Sequence, residues 1–216
     1  MERVGPPLTE RLVRPPLWIA AGCVAAFTAI AVDITHHGPL ARRDEHVARW
    51  AAGRPLDLRN WSSHLSLAGD AAFLAVLVVL VVAYLLTRHR RVDAVTLVLA
   101  GASTGLLTTV LKLAFRRSRP PFVDEAAKLH SFSFPSGHAS GAFAVYLLIA
   151  LILTDGVRSR WRVAGVAVAV AAALLVAATR VLIPVHYLSD VIAGGAVGIA
   201  MAACAWLARV AFWSGR

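Results

Sequence analysis

The chain has 216 residues, of which 58% are hydrophobic, and its mean hydropathy is +0.68. This composition excludes an ordinary soluble domain and predicts an integral membrane protein. A net charge of +10 would indicate nucleic-acid binding in a soluble protein. Here the basic residues lie mainly between apolar blocks, so the expected partners are the bilayer and anionic substrates, and nucleic acid is not expected.

The apolar residues form six blocks separated by short polar connections. A hydrocarbon core of about 30 Å requires roughly 20 apolar residues for each helical span. The sequence therefore predicts an all-α fold, a polytopic membrane bundle of about six transmembrane helices. The blocks lie near residues 17–34, 70–87, 94–114, 139–154, 163–179 and 187–208.

The segment before the first block, residues 1–16, is basic and contains four prolines. Because proline interrupts helices, we expect a mobile cytoplasmic arm here. The first block could be a signal peptide, since Ala29, Ile30 and Ala31 resemble a cleavage site. However, it is about as long as a full span, which favours an uncleaved helix.

The connection 36–69 is rich in arginine and tryptophan. Within it, the apolar residues Val47, Trp50 and Ala51 recur at helical spacing. The pattern is equally compatible with a short helix lying in the membrane interface and with a solvated loop.

The connections 88–93 and 155–162 are short and basic, which by the positive-inside rule places them in the cytoplasm. With six spans both termini are then cytoplasmic, and residues 209–216 form a cytoplasmic tail. The total of Lys and Arg does not decide the orientation, because it is 11 on each side. We therefore rest the orientation on three polar clusters, which all fall on the other, outer face.

Two pairs of glycines occur at a spacing of four residues inside apolar blocks. Gly101 with Gly105, and Gly194 with Gly198, are typical of positions where helices approach each other closely. We expect both pairs of glycines to lie where two helices pack against each other.

The first polar cluster joins Lys112 to Arg119 and Pro120. The two cations are seven residues apart, so a continued helix would place them two turns apart on one side. Arg offers a fork of donors that matches phosphate oxygens, and Lys offers a point charge. The pair is a candidate anion clamp, although either residue alone could be an interfacial side chain.

The second cluster is the run Pro135-Ser136-Gly137-His138, directly before a small-residue apolar block. It is typical of a loop that leads into a helix N-terminus, where free backbone N–H groups bind oxyanions. Gly137 would allow close approach of a phosphate, Ser136 could donate a hydrogen bond, and His138 lies within reach as an acid.

The third cluster contains Arg180, His186 and Asp190. If the last helix begins near Pro184, His186 and Asp190 are neighbours one turn apart. A carboxylate beside a histidine fixes the tautomer and stabilises the protonated ring, which suits a nucleophile. His138 could join the pair in a metal site, but no thiolate or further carboxylate is near, so no metal is predicted.

Together the patterns KxxxxxxRP, PSGH and RxxxxxHxxxD resemble the type 2 phosphatidic acid phosphatase superfamily, over roughly residues 60–208. The resemblance implies that His186 attacks phosphorus, Asp190 activates it and His138 protonates the leaving oxygen. It also implies a phosphohistidine intermediate and no cofactor. The residues that it assigns to phosphate binding are Lys112, Arg119, Ser136, Gly137 and Arg180. The third pattern departs from the family at Thr179, where serine is usual.

The predicted function is that of a metal-independent lipid phosphatase, with a domain over residues 17–208 and its motif core at 110–191. We expect it in the plasma membrane with its site on the extracytoplasmic face. The candidate substrates are polyprenyl pyrophosphate, phosphatidic acid and phosphatidylglycerol phosphate. Alternatives are a transferase that passes the phosphoryl or headgroup to another alcohol, and a non-catalytic lipid-binding or transport protein. The oligomeric state is not predicted.

Overall fold

The computed structural model describes residues 8–122 and 131–214. Within these two ranges the chain forms eight α-helices and no β-strand. A 3₁₀ turn, Leu67–Gly69, joins the third helix to the fourth. The helices are α1 (Leu8–Thr35), α2 (Pro39–Ala52), α3 (Leu56–Ser66), α4 (Ala71–Thr87), α5 (Arg91–Phe115), α6 (Gly137–Leu153), α7 (Ser159–Leu182) and α8 (Leu188–Ser214).

Each of the six predicted apolar blocks is a helix, which confirms the all-α membrane bundle. Among the described residues, the four helices α1, α5, α7 and α8 are long and apolar enough to cross a membrane. The segment 56–69 and α4, which meet at a bend of 42°, add a fifth candidate span when taken together. Helix α6 is apolar but has only 17 residues, about 25 Å at the rise of an α-helix.

The ends of the chain differ from the prediction. Helix α1 begins at Leu8 and runs through Pro15 and Pro16, so the expectation that these prolines interrupt a helix is wrong, and residues 1–7 lie outside the described residues. Proline disfavours a helix interior because it lacks an amide hydrogen and its ring crowds the preceding turn, and here both prolines lie near one end of a 28-residue helix. Helix α8 likewise continues past residue 208 to Ser214.

The end of the bundle formed by the start of α5 and the end of α8 is held by ion pairs around the buried side chains of Asp93 and Arg209. The Nε atom of Arg209 donates to Asp93, and its Nη2 atom lies 2.7 Å from Oδ2 of Asp155. Arg90 donates from Nε to Asp93 at 2.6 Å. These contacts join α5 and α8 to the connection after α6, so Arg209 is part of the bundle rather than of a free tail.

The predicted glycine packing is confirmed in α8 and wrong in α5. A Cβ added at Gly194 or Gly198 would lie less than 3.0 Å from a backbone carbonyl oxygen of α6 or its cap, so α6 and α8 pack with their backbones in near contact. A Cβ added at Gly101 or Gly105 would meet nothing within 4 Å. The α5 pair instead lines an open cleft between α4, α5 and α6.

The connection 36–69 contains two helices, α2 and α3, rather than a loop. The buried side of α2 is formed by Asp44, Ala48 and Ala51. Trp50, expected on the apolar face, is 51% exposed. The buried face of α2 therefore consists of small residues and one carboxylate, and this carboxylate contributes to the candidate site.

Candidate active site

The three predicted polar clusters meet at one end of the bundle. They come from the segment after α5, the N-terminus of α6 and the turn between α7 and α8. Residues more than 70 positions apart in the chain are thereby brought into hydrogen-bonding contact. The three clusters therefore lie together in the fold.

Lys112 and Arg119 converge, but not on one helix as predicted. Helix α5 ends at Phe115, and Arg116 adopts a left-handed conformation with φ of 47°, which turns the chain. Lys112 donates from Nζ to the carbonyl oxygen of Phe132, and Nη2 of Arg119 lies 3.5 Å from the same oxygen. The two cations thus approach a common point from the helix end and from the following loop.

Arg119 also connects the clamp to the third cluster. Its Nε donates to the carbonyl oxygen of Ser131 at 2.8 Å, and its Nη1 donates to that of Val185 at 2.7 Å. The same Nη1 lies 3.2 Å from Nε2 of His186. The guanidinium is therefore held beside the ring nitrogen, where it can stabilise negative charge on a group attached there.

The PSGH run forms the predicted helix start. Helix α6 begins at Gly137, and the Oγ atom of the cap residue Ser136 accepts from the Ala139 N–H at 3.5 Å. The backbone N–H of Ser136 donates to the carbonyl oxygen of Asp190 at 2.9 Å, which ties this loop to α8. His138 lies in the first helical turn, within range of the charges of Arg180, Asp70 and Arg119.

Arg180 lies in the last turn of α7 and is 8% exposed. Its Nη1 donates to Oγ of Ser66 at 3.1 Å, while its Nε is buried without a hydrogen-bond partner among the described residues. Thr179, at the position where the resembled family has serine, donates to the carbonyl oxygen of Val176 at 2.6 Å. The Thr179 hydroxyl is therefore used within its own helix.

His186 and Asp190 are close, but the predicted helix start is wrong. Helix α8 begins at Leu188, so His186 lies in the preceding turn. Its Nδ1 is 3.5 Å from Oδ2 of Asp190, and the hydroxyl of Ser133 lies 3.4 Å from Nδ1 while donating to the same carboxylate. Asp190 also accepts the Tyr187 N–H at 2.9 Å, which fixes its orientation.

The His186 ring is 3% exposed. Burial lowers its pKa to about 3, with Arg119 and Lys112 acting in the same direction and Asp190 against them. The effect of burial therefore outweighs the predicted stabilisation of the protonated ring by Asp190, and the resting ring is neutral. Because a guanidinium can only donate, Nε2 beside Arg119 is the bare acceptor nitrogen and Nδ1 carries the hydrogen.

The sequence did not predict the hydrogen-bonded residues that hold Asp190 from the side away from His186. Arg117 donates from Nη1 to Oδ1 of Asp190 at 2.6 Å and to Oγ of Ser189 at 2.7 Å. Its Nη2 donates to Oδ2 of Asp44 at 2.8 Å, and Oδ1 of Asp44 accepts the Ser189 N–H at 3.0 Å. The available signal was the i, i+4, i+7 spacing of Asp44 with Ala48 and Ala51, which places a carboxylate on a small-residue face.

The open cleft has a volume of about 610 Å³. It runs between α4, α5 and α6, is lined mainly by apolar residues, and reaches Lys112, Gly137 and His138. Among residues 8–122 and 131–214, no group of three or more His, Cys, Asp or Glu side chains is arranged to hold a metal ion. The site thus combines cations, a helix N-terminus and a neutral histidine at the end of an apolar cleft.

Comparison with known proteins gives matches over most of the chain. The sequence profile of the PAP2 superfamily matches residues 93–214. Phosphatidylglycerophosphatase B of Bacillus subtilis is 34% identical over 178 residues, covering 80% of this chain and 86% of that protein. A lipid A 1-phosphatase of Rhizobium etli is 33% identical over 174 residues, covering 68% and 70%.

Solved structures give the same result. The crystal structure of a transmembrane PAP2-type phosphatidylglycerolphosphate phosphatase from Bacillus subtilis superposes with a TM-score of 0.80 at 27% identity, covering 92% of this chain and 96% of that one. The structure of Aquifex aeolicus LpxE superposes with a TM-score of 0.57 at 25% identity, covering 74% and 92%.

Proposed function

The chain belongs to the PAP2 superfamily, and we propose that it is a membrane phosphatase that hydrolyses a phosphomonoester or pyrophosphate of a lipid through a phosphohistidine intermediate, without a metal. The observation that carries the proposal is the setting of His186. Its bare Nε2 lies beside a phosphate-binding cation, Arg119, and its Nδ1 lies beside Asp190.

Binding of the phosphate rests on charge and on the start of α6. Lys112, Arg119 and Arg180 supply positive charge, and the unpartnered Nε of Arg180 supplies a donor that a phosphate oxygen would satisfy. The backbone N–H of Gly137, together with Ser136 at the helix cap, completes the cradle. These donors are already in place before substrate arrives, so they stabilise charge on the phosphoryl oxygens without reorganisation.

In the first step, the Nε2 lone pair of His186 attacks phosphorus and forms the N–P bond. The bond from phosphorus to the lipid oxygen breaks, and this oxygen takes a proton from His138, which enters the step as the protonated imidazolium and leaves it neutral. His186 keeps its Nδ1 hydrogen, so the ring becomes cationic and is stabilised by Asp190.

In the second step, a water molecule attacks the phosphohistidine. The N–P bond breaks, its electron pair returns to Nε2 of His186, and a proton of the water passes to His138. Inorganic phosphate is released, and both histidines return to their starting protonation states. The same residues thus act in both half-reactions, with His138 as acid and then as base.

The apolar cleft supports a lipid substrate. A hydrocarbon tail can lie between α4, α5 and α6 while the phosphate reaches Lys112 and His138 at its end. We propose that the site faces the extracytoplasmic side of the plasma membrane, with the basic connections 88–93 and 155–162 in the cytoplasm. Because the alignment with the phosphatidylglycerophosphatase relative covers most of both chains, phosphatidylglycerol phosphate is the first substrate to test.

We expect the detergent-purified protein to release phosphate from at least one of phosphatidylglycerol phosphate, phosphatidic acid and polyprenyl pyrophosphate, with EDTA present. The physical reason is that three cations and a helix N-terminus supply the stabilisation that a metal would otherwise give. The measurement is phosphate released over time, with and without EDTA. Loss of release on chelation would contradict the metal-free mechanism, and no release from any lipid would contradict the phosphatase assignment.

The neutral, buried state of His186 predicts a pH dependence of stability. The pKa of this histidine is about 3 in the folded protein and about 6.5 in an unfolded chain. Between these values the unfolded chain binds more protons here, so stability falls as the pH falls. We expect the parent to lose more thermal stability than His186→Gln between pH 7 and pH 5. Equal losses would show that His186 is not held neutral.

A further inference from the structure

Thr108 is a buried hydroxyl that forms no hydrogen bond with the described residues. Its side-chain oxygen is inaccessible to solvent, and the residue is 5% exposed. Two other threonines of α5 behave differently. Thr104 donates to the carbonyl oxygen of Ala100 at 2.6 Å, and Thr109 donates to that of Gly105 at 2.9 Å. Thr108 alone of these three does not bond back to its own helix.

The position of Thr108 relates it to the substrate path. It lines the cleft one helical turn before Lys112, on the side away from the loop that carries Arg119. A Cβ added at Gly137 would lie 3.8 Å from Cγ2 of Thr108 and 3.9 Å from Cε of Lys112. Thr108 therefore lies along the cleft between the phosphate-binding groups and the apolar part lined by Gly101 and Gly105.

A buried hydroxyl without a hydrogen-bond partner destabilises the folded protein. Leaving a buried donor without a partner costs about 1–3 kcal/mol, and in α5 the helix carbonyl was available as a partner for two neighbouring threonines. Thr108 lines the cleft, so a rotation about its Cα–Cβ bond turns this unpartnered hydroxyl toward a polar atom of whatever fills the cleft.

We propose that Thr108 is a substrate-binding residue that recognises the leaving group, donating a hydrogen bond to an oxygen of the linkage between the scissile phosphate and the hydrocarbon tail. The inference rests on the proposed lipid phosphatase function. The phosphate itself lies nearer the surface, at Lys112 and Gly137, and the tail lies deeper, against Gly101 and Gly105. The oxygen-bearing linkage of the lipid therefore passes beside Thr108, between these two parts of the cleft.

The test measures binding rather than turnover, so that it does not depend on the proposed reaction. In a His186→Ala background, which prevents covalent chemistry, we would measure the Kd of dioctanoyl phosphatidic acid and of inorganic phosphate by calorimetry. Adding Thr108→Val removes the hydroxyl at nearly constant shape. We expect the Kd of the lipid to rise about fivefold, since a neutral hydrogen bond contributes about 1 kcal/mol, and the Kd of inorganic phosphate to stay unchanged.

Two further variants separate this role from a change in packing. Thr104 lines the same cleft, but its hydroxyl already bonds to its own helix. We therefore expect Thr104→Val to leave the Kd of both ligands unchanged. Thr108→Ser should restore lipid binding. An equal rise for both ligands would place Thr108 in the phosphate site and overturn the proposal. An unchanged lipid Kd in Thr108→Val, or an equal rise in Thr104→Val, would also overturn it.

Discussion

Replacing His186 with alanine is expected to lower phosphate release by about 10⁴-fold or more, the size of effect found when a covalent nucleophile is removed. The ring supplies the only bare nitrogen beside Arg119 within the described residues. Its removal leaves the cations and the cap of α6 able to bind phosphate, but without an atom to form the N–P bond. The measurement is the initial rate of phosphate release from the best lipid of the panel.

The matched control is His64→Ala, which removes an exposed histidine of α3 outside the site. We expect this variant to keep the parent rate. Equal amounts of both proteins in the membrane fraction would show that insertion is intact. If His186→Ala retained more than a tenth of the parent rate, the phosphohistidine mechanism would be wrong even though the family assignment would stand.

Replacing Asp44 with alanine is expected to destabilise the protein by about 3–5 kcal/mol, the cost of removing one partner from a buried ion pair. Asp44 is 2% exposed, and it accepts hydrogen bonds from Arg117 and from both the backbone N–H and the hydroxyl of Ser189. Without it, Nη2 of Arg117 loses its carboxylate partner, and the guanidinium is held through Nη1 by Asp190 and Ser189. The measurement is the denaturation midpoint of the purified protein, together with kcat.

The adjacent residue of α2 provides the control for this change. Glu45 is paired with Arg49, but both side chains are more than half exposed, so Glu45→Ala should cost no more than about 0.5 kcal/mol. Because Arg117 also binds Asp190, we expect Asp44→Ala to lower kcat more than it raises KM. Equal stability of the two variants would show that the Arg117 pair is not part of the structural frame of the site.

The motif residues show how much of the candidate site can be predicted from the sequence. The spacing of Lys112 and Arg119 and the order of the three clusters single out the candidate phosphate-binding groups and the two histidines, because charged side chains inside apolar blocks are costly and mark function. The apolar blocks identify every long helix for the same energetic reason. The sequence does not reveal that α5 ends at Phe115, because this depends on the left-handed turn at Arg116.

By itself, the sequence determined the all-α membrane class and the three polar clusters, since hydropathy and motif spacing are local properties of the chain. Only the tertiary structure decided that Asp44 stands behind Arg117 and Asp190, that Gly101 and Gly105 line a cleft instead of a helix contact, and that Thr108 lacks a hydrogen-bond partner among the described residues. These features depend on which residues of distant segments meet. Periodicity identifies the face of a helix, whereas the neighbour on that face is set by the packing of the whole bundle.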